Sequence, residues 1–322
     1  MKKTKLYSVG VDIGGTSIKV GVVSKDGKII AKTAVDTLSE LGPKGVVNQI
    51  IKGINNVLPE YIKEIEGIGI GAPGIVSIEK GTVEHPPNLY NWKKVHLGKL
   101  IEDEFRLKVT VENDANAAAI GELMYGAGRQ FEDFIMITLG TGVGGGIILN
   151  RKIYRGEIGA AGEIGHTTID YNGPLCNCGA NGCVETYIGN GYLVDQVIRE
   201  KHNQKNSKIF ELLDHNLDYL TPKIISDAAQ QGDDFARKVI IDAGRYLGIG
   251  LASVVNILDI SKIIIGGGVA GFGKLLFDSV ENSLREKTLK SLRSRVKIYP
   301  AKLKNEAGIK GASSLVFYRA LL

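Results

Sequence analysis

Two stretches of this chain repeat one local design. Residues 6–23 read LYSVGVDIGGTSIKVGVV, and residues 134–149 read FIMITLGTGVGGGIIL. Each is an apolar, β-rich run, a glycine-bearing turn and a second apolar run, which predicts a strand–turn–strand hairpin. Setting Asp12 on Thr138 puts Gly14 on Gly140 and Thr16 on Gly142. A hairpin repeated so far along the chain predicts a duplicated α/β domain. In the first copy, Gly14 and Gly15 let backbone amides approach an oxyanion. Thr16 and Lys19 add donors there, and Asp12 is placed to hold Mg²⁺ through water. A plain structural hairpin fits the same residues. The G-x-x-x-x-G-K-S/T loop is excluded, because a strand rather than a helix follows. A third glycine cluster, IIIGGGVA at residues 263–270, follows a buried-looking strand.

The material around the hairpins reads as further α/β structure. Residues 43–58 carry apolar side chains at helical spacing. Residues 65–71 read as a strand that ends in Gly71, Ala72, Pro73 and Gly74. Residues 84–92 (EHPPNLYNW) form an irregular loop with the chain's one tryptophan, either a ligand loop or half-buried aromatic packing. Residues 109–111 are a short strand. ENDANAAA at residues 112–119 then puts Asp114 at a strand-to-helix junction. A helix N-cap suits Asp or Asn. That role needs one residue, whereas this junction has Asn113, Asp114 and Asn116. A carboxylate at a helix start, beyond a strand end of an α/β sheet, is also where ligand sites form. Downstream, residues 187–201 read as helix, and 203–222 as a polar loop with a short helix. Residues 227–258 read as two helices, the second long and apolar: core, or core plus a subunit interface. Residues 272–293 read as helix, 296–300 as strand and 307–322 as a final helix.

All three cysteines, Cys176, Cys178 and Cys183, lie in one glycine-rich loop, with His166 ahead of them. One imidazole and three thiolates complete a tetrahedral zinc set, and a closed set marks a structural site. Gly173, Pro174, Gly179 and Gly182 suit the tight turns such a knot needs. A disulfide is the weaker rival, since three cysteines leave one over. Glu163 and Glu185 bracket the loop. Each alone reads as a solvated surface residue, and the metal loop beside them brings a functional role level with that reading.

The pattern E-x-G-H followed by C-x-C-G-x-x-G-C-x-E, here Glu163 to His166 and Cys176 to Glu185, resembles the ROK family of sugar kinases. The likeness runs from Val9 to Leu322 and is strongest to the family's bacterial glucokinases. It implies zinc on His166, Cys176, Cys178 and Cys183. It implies that Asn113, Asp114, Glu163, His166 and Glu185 contact sugar hydroxyls, with Asp114 as general base. The turn at Gly74 is suited to lie over the sugar ring. The repeated hairpins look like the actin, hexokinase and heat-shock ATPase superfamily, a ribonuclease H-like fold in which two lobes clasp a nucleotide. That likeness implies phosphate turns at Gly14, Gly15 and Thr16 and at Gly140, Thr141 and Gly142, with adenosine at Gly266, Gly267 and Gly268.

The expected fold is therefore a duplicated, two-lobed α/β fold of the actin/hexokinase type with a zinc loop. Residues 1–117 with 301–322 would make the small lobe and 118–300 the large one. The expected activity is ATP- and Mg²⁺-dependent phosphorylation of a hexose 6-hydroxyl, glucose first. Kinases for N-acetylglucosamine, N-acetylmannosamine or another hexose share these motifs. A sugar-responsive repressor is the rival of another class. It needs a helix-turn-helix ahead of the first hairpin, and Asp12 leaves no room for one. A non-catalytic actin-like ATPase is disfavoured by the carboxylates assigned to the sugar. Charge is balanced, 40 basic against 35 acidic residues in 322, which argues against a nucleic-acid reader. The basic N-terminus lacks the apolar core of a signal peptide, and no apolar run reads as a membrane span. The expected setting is the cytoplasm, as a homodimer or larger homo-oligomer.

Overall fold

The structure is a computed structural model that describes residues 6–58, 62–214 and 216–318. The chain opens with a meander of β1 (Tyr7–Ile13), β2 (Ser17–Ser24) and β3 (Ile29–Asp36), then α1 (Gly42–Val57). Next come β4 (Ile65–Ala72), the short strands β5 (Ile75–Ser77), β6 (Thr82–Glu84) and β7 (Lys94–Val95), and α2 (Leu97–Phe105). β8 (Val109–Asn113) runs directly into α3 (Asp114–Tyr125). A second meander follows: β9 (Phe134–Leu139), β10 (Val143–Leu149) and β11 (Lys152–Tyr154). After the cysteine loop come α4 (Glu185–Ile188), α5 (Asn190–Glu200), α6 (Lys208–Leu212), α7 (Pro222–Gln230) and α8 (Asp234–Leu258). The chain closes with β12 (Lys262–Gly266), α9 (Lys274–Lys287), β13 (Lys297–Pro300) and α10 (Ala307–Tyr318).

The duplication is plain in the strand orders. One five-stranded sheet runs β3-β2-β1-β4-β8 and the other β11-β10-β9-β12-β13. In each, an antiparallel hairpin leads and a parallel pair extends the sheet, β4 with β8 in the first and β12 with β13 in the second. β5, β6 and β7 make a separate small sheet.

The chain divides into two compact units. The first holds residues Met1–Met136, Gly146–Gly162 and Ala301–Leu322; the second holds Ile137–Gly145 and Glu163–Pro300. The boundary expected after residue 117 falls inside α3, which packs along α10 as one piece. Glycines permit that contact. A Cβ on Gly121 of α3 would come within 2.8 Å of the Gly311 Cα on α10. Gly10 on β1 and Gly69 on β4 likewise let the α10 backbone lie directly on the sheet. The other face of that sheet carries the first unit's core, where Val9, Val11, Val20, Ile68 and Ile70, all fully buried, cluster with Val46, Ile50 and Ile54 of α1.

Several boundaries differ from those read in the sequence. The helix expected over 187–201 breaks at Gly189 into α4 and α5. Asp227 belongs to α7, which starts at Pro222, a residue suited to a first helical turn. The helix expected to Arg293 ends at Lys287. Residues 319–322 of the final helix and residues 1–5 of the basic N-terminus lie outside the described residues. The expectation of no membrane-length apolar run also needs correcting. α8 has 25 residues and passes for one by length and composition, yet 56% of its most apolar window is buried. It packs along α9, as a core helix does.

Candidate functional site

In the first unit the glycine turn sits where Asp12 and Lys19 pair across the β1–β2 hairpin. Gly14 N–H donates to Ser17 O at 3.0 Å, closing the turn. Thr37, fully buried, pins it from behind. Its hydroxyl donates to Gly14 O at 2.6 Å and its N–H to Thr16 O at 3.0 Å. Asp12 is half-buried at the end of β1. Burial pushes its carboxyl upward from the ordinary value, and Lys19 opposes that shift. The carboxylate lies so close to Gly308, in the first turn of α10, that an added Cβ there would collide with it. A helix N-terminus favours the anion.

The Asn113–Asp114 junction lies in the same unit, and its two residues divide the labour. Asn113 is the N-cap of α3, with non-helical φ −59° and ψ 144°. Its Oδ1 accepts from the Ala115 and Asn116 N–H groups at 3.0 and 3.2 Å. Its Nδ2 donates to Gly74 O at 3.2 Å, which ties the sequence-predicted turn to the junction. Gly74 has φ +89°, and a Cβ there would meet Glu84 O at 2.7 Å, so only glycine fits beneath the 84–92 loop. That loop also touches the glycine turn, with Asn88 against Gly15. Trp92 is only 4% exposed and donates to Val83 O at 3.1 Å, so packing explains it. With capping done by Asn113, Asp114 stands exposed on the first turn of α3, its Oδ1 accepting from Ala115 N–H at 2.8 Å.

In the second unit the turn after β9 closes with Gly140 N–H on Gly142 O at 3.0 Å, and Asn190 N–H donates to Gly140 O at 3.0 Å. Thr141 is exposed at its tip. Gly267, at φ +92°, packs against the Leu139 backbone and brings residues 266–268 beside that turn. Gly268 is exposed with open space at its Cβ position. Two further pieces meet β10 at Val143. Gly165 of the 163–166 turn lies against it, and Glu185 Oε2 accepts its N–H at 2.9 Å.

The ligand atoms of His166, Cys176, Cys178 and Cys183 all lie within 4.8 Å of one another. Cys178 and Cys183 Sγ are 3.6 Å apart, too far for a disulfide, and Cys176 Sγ is 3.6 Å from His166 Nδ1. Zinc bonds of about 2.3 Å to sulfur and about 2.05 Å to nitrogen put tetrahedral partners about 3.8 Å apart for two sulfurs and about 3.6 Å for sulfur and nitrogen. The donor set therefore fits zinc. The loop is shaped for it by Cys176 N–H on Ala180 O at 2.8 Å and by left-handed Gly179 and Gly182, at φ +93° and +67°. His166 directs Nδ1 to the cysteines and Nε2 toward Glu163 Oε2, 3.9 Å away. Glu185 Oε1 lies 3.9 Å from Cys176 Sγ, so the metal loop, Glu185 and the second glycine turn are linked within one unit.

Some site-building residues carry no signal in the sequence. Thr37, Gly308 and Val143 act through backbone or packing, which leaves no motif. Glu112 does leave one: a charged residue in the apolar strand just before the Asn-Asp pair. It is 2% exposed and carries its own network.

The sequence matches the model described as "ROK family" over residues 8–318. It is 36% identical over 315 residues to "Glucokinase" of Thermotoga maritima, covering 97% of this chain and 98% of that one. It is 33% identical over 312 residues to "Xylose repressor" of Caldicellulosiruptor bescii, covering 96% of this chain and 77% of the repressor. A crystal structure of a ROK family glucokinase from Streptomyces griseus, in complex with glucose and AMPPNP, superposes with a TM-score of 0.86 at 38% identity, covering 96% and 98% of the two chains. With the family model spanning both sheets, both glycine turns and the cysteine loop, this chain belongs to the ROK family.

Proposed function

We propose that this chain transfers the γ-phosphoryl group of ATP to the 6-hydroxyl of a hexose, with glucose as the substrate. The observation that carries it is the Asn113–Asp114 junction. Asn113 does the capping, and a carboxylate remains exposed at a helix start beside the Gly74 turn. Likeness to the glucokinases of Thermotoga maritima and Streptomyces griseus names the substrate pair.

In this reading Asp114 accepts the proton of the 6-hydroxyl as its oxygen bonds to the γ-phosphorus and ADP departs. Phosphoryl transfer asks mainly for positioning and charge stabilisation. Gly14, Gly15, Thr16 and Lys19 are assigned to phosphates, as are Gly140, Thr141 and Gly142; Gly266, Gly267 and Gly268 are assigned to adenosine. Asn113, Glu163, His166, Glu185 and the Gly74 turn are assigned to the sugar. With zinc on Nδ1, His166 carries its proton on Nε2 and can donate it to a hydroxyl. Glu185, though bonded to Val143, keeps lone pairs for hydroxyl donors. Asp12 fits Mg²⁺, which takes one or two protein carboxylates and otherwise water and phosphate. Bound there, the ion would neutralise phosphate charge. The zinc set would hold the 163–185 segment in shape. A homodimer or larger assembly, measurable by light scattering, and a cytoplasmic setting belong to the same proposal.

A coupled assay over glucose, mannose, N-acetylglucosamine, N-acetylmannosamine and xylose tests it, with Mg²⁺·ATP as donor. Glucose should give the highest kcat/KM. A higher value for an N-acetylated sugar would move the assignment within the family. The xylose-repressor likeness supports a second reading, sugar-responsive DNA binding. No turnover of any hexose, with sequence-specific DNA binding, would favour that one.

Gly308→Ala tests Asp12. The new methyl collides with the Asp12 carboxylate rather than with the core. The protein should fold, since alanine favours a helix over glycine. The KM for Mg²⁺·ATP should rise by roughly 10-fold or more, since a displacement of about 1 Å can cost that much. Initial rates against Mg²⁺·ATP would show it; an unchanged KM would remove Asp12 from the metal site.

A further inference from the structure

Glu112 is a buried carboxylate outside the sets assigned to sugar, phosphate and metal. It sits one residue before Asn113 at the end of β8 and takes donors from three directions. Oε1 accepts Asn113 N–H at 3.0 Å and Asn116 Nδ2 at 3.1 Å. Oε2 accepts Arg155 Nε at 2.9 Å. Buried charges persist where they are paired and hydrogen-bonded, and this one is both.

Each donor belongs to a piece of the first unit's half-site. Asn113 caps α3 and holds the Gly74 turn. Asn116 lies in the first turn of α3, and its Oδ1 is buried without a partner among the described residues. Flipping that amide would turn its oxygen onto the Glu112 carboxylate, so Glu112 fixes its orientation. Arg155 begins the loop that leads toward Glu163. Its carbonyl accepts Ala161 N–H at 3.1 Å, and Gly159 of that loop is pressed on the Val76 backbone of β5, next to the Gly74 turn. One carboxylate thus ties together the helix start bearing Asp114, the Gly74 turn and the 155–161 loop.

We infer that Glu112 is a positioning residue for phosphoryl transfer, holding Asn113 and Asp114 in register with the Arg155 loop. This rests on the kinase reading. A buried apolar residue would serve the sheet as well, because replacing a buried ion pair by packed apolar groups is often neutral for stability. The ion pair is therefore explained by aim rather than by stability.

Glu112→Gln tests it. The amide oxygen can still accept from Asn113 and Asn116, but the amide nitrogen meets Arg155 Nε as donor against donor. The variant should fold, with kcat on glucose lowered roughly 10- to 100-fold, since slight misplacement is costly in catalysis. KM for ATP should stay within about twofold, because the assigned ATP residues do not touch Glu112. Adding Arg155→Gln restores a donor–acceptor pair and should recover about threefold or more of the lost kcat, the non-additivity expected of residues in contact. A role in stability alone would lower Tm and leave kcat near wild type; that result overturns the inference, as does a double variant that is simply additive. Should Glu112→Gln not fold, Arg155→Lys carries the test: charge is kept, the Nε donor is lost, and kcat must still fall with ATP KM unchanged. Wild-type protein inactive on every hexose would overturn the kinase reading and this inference with it. An active wild type with an unaltered Glu112→Gln kcat would overturn this inference alone.

Discussion

Asp114→Asn should fold as the wild type does and lose at least roughly 10²-fold in kcat on glucose, the usual scale for removing a general base. The structure separates two roles that the sequence leaves entangled. N-capping belongs to Asn113, whose Oδ1 holds two helix amides, so changing Asp114 takes no cap away. An N1 asparagine keeps the shape and an oxygen for Ala115 N–H, the Asp114 bond at 2.8 Å. Only the charge and the proton acceptor go. Sugar affinity should change less than kcat, because an interaction made chiefly in the transition state shows in kcat. The converse variant, Asn113→Ala, should cost about 0.5–2 kcal/mol of stability through the lost cap. Thermal melts and steady-state kinetics on both variants would check the division. A stable Asp114→Asn with normal kcat would send the search for a base to Glu163 or Glu185.

Cys178→Ser should abolish stoichiometric zinc, lower Tm and weaken glucose binding together. Cys178 is exposed, so in a metal-free loop the exchange of sulfur for oxygen would be worth little, within about 0.5 kcal/mol for a surface site. Structural zinc contributes folding free energy on the order of 10 kcal/mol in the best-studied small sites. A large effect from an exposed thiol therefore reports the metal. Sugar binding is coupled because the loop carries what flanks it. Glu163 faces His166 Nε2, and Glu185 stands between Cys176 and the Val143 amide of the second glycine turn. Metal analysis by mass spectrometry, calorimetric melting and glucose titration measure the three effects. Zinc-free wild-type protein with full glucose affinity would dissociate the loop from the site.

Motifs with a short chemical vocabulary are legible in the amino-acid sequence alone. Three cysteines and a histidine in one loop state a donor set, and the fold brings all four ligand atoms together. The repeated glycine hairpins announce the duplication, and both sheets carry it in their strand order. What stays hidden acts across long sequence separations or through backbone. Gly308 matters because its missing Cβ makes room for Asp12, nearly the whole chain away. Arg155 pairs with Glu112 across 43 residues, with no spacing rule to reveal it. The break at Gly189 comes from its extended backbone, φ −62° and ψ 146°, which no spacing rule reveals. A boundary at residue 117 cuts through α3, whose Ala-rich sequence does not say which unit it joins. Only its glycine-lined contact with α10 assigns it to the first unit.

The most direct measurement is the identity and stoichiometry of product from wild-type protein supplied with Mg²⁺·ATP and glucose, followed by ³¹P NMR. One glucose 6-phosphate formed for each ADP, with no ADP formed when glucose is omitted, is the expected result. ADP released at the same rate without sugar, or phosphate carried on any hydroxyl but the sixth, would contradict an ATP-dependent hexose 6-kinase.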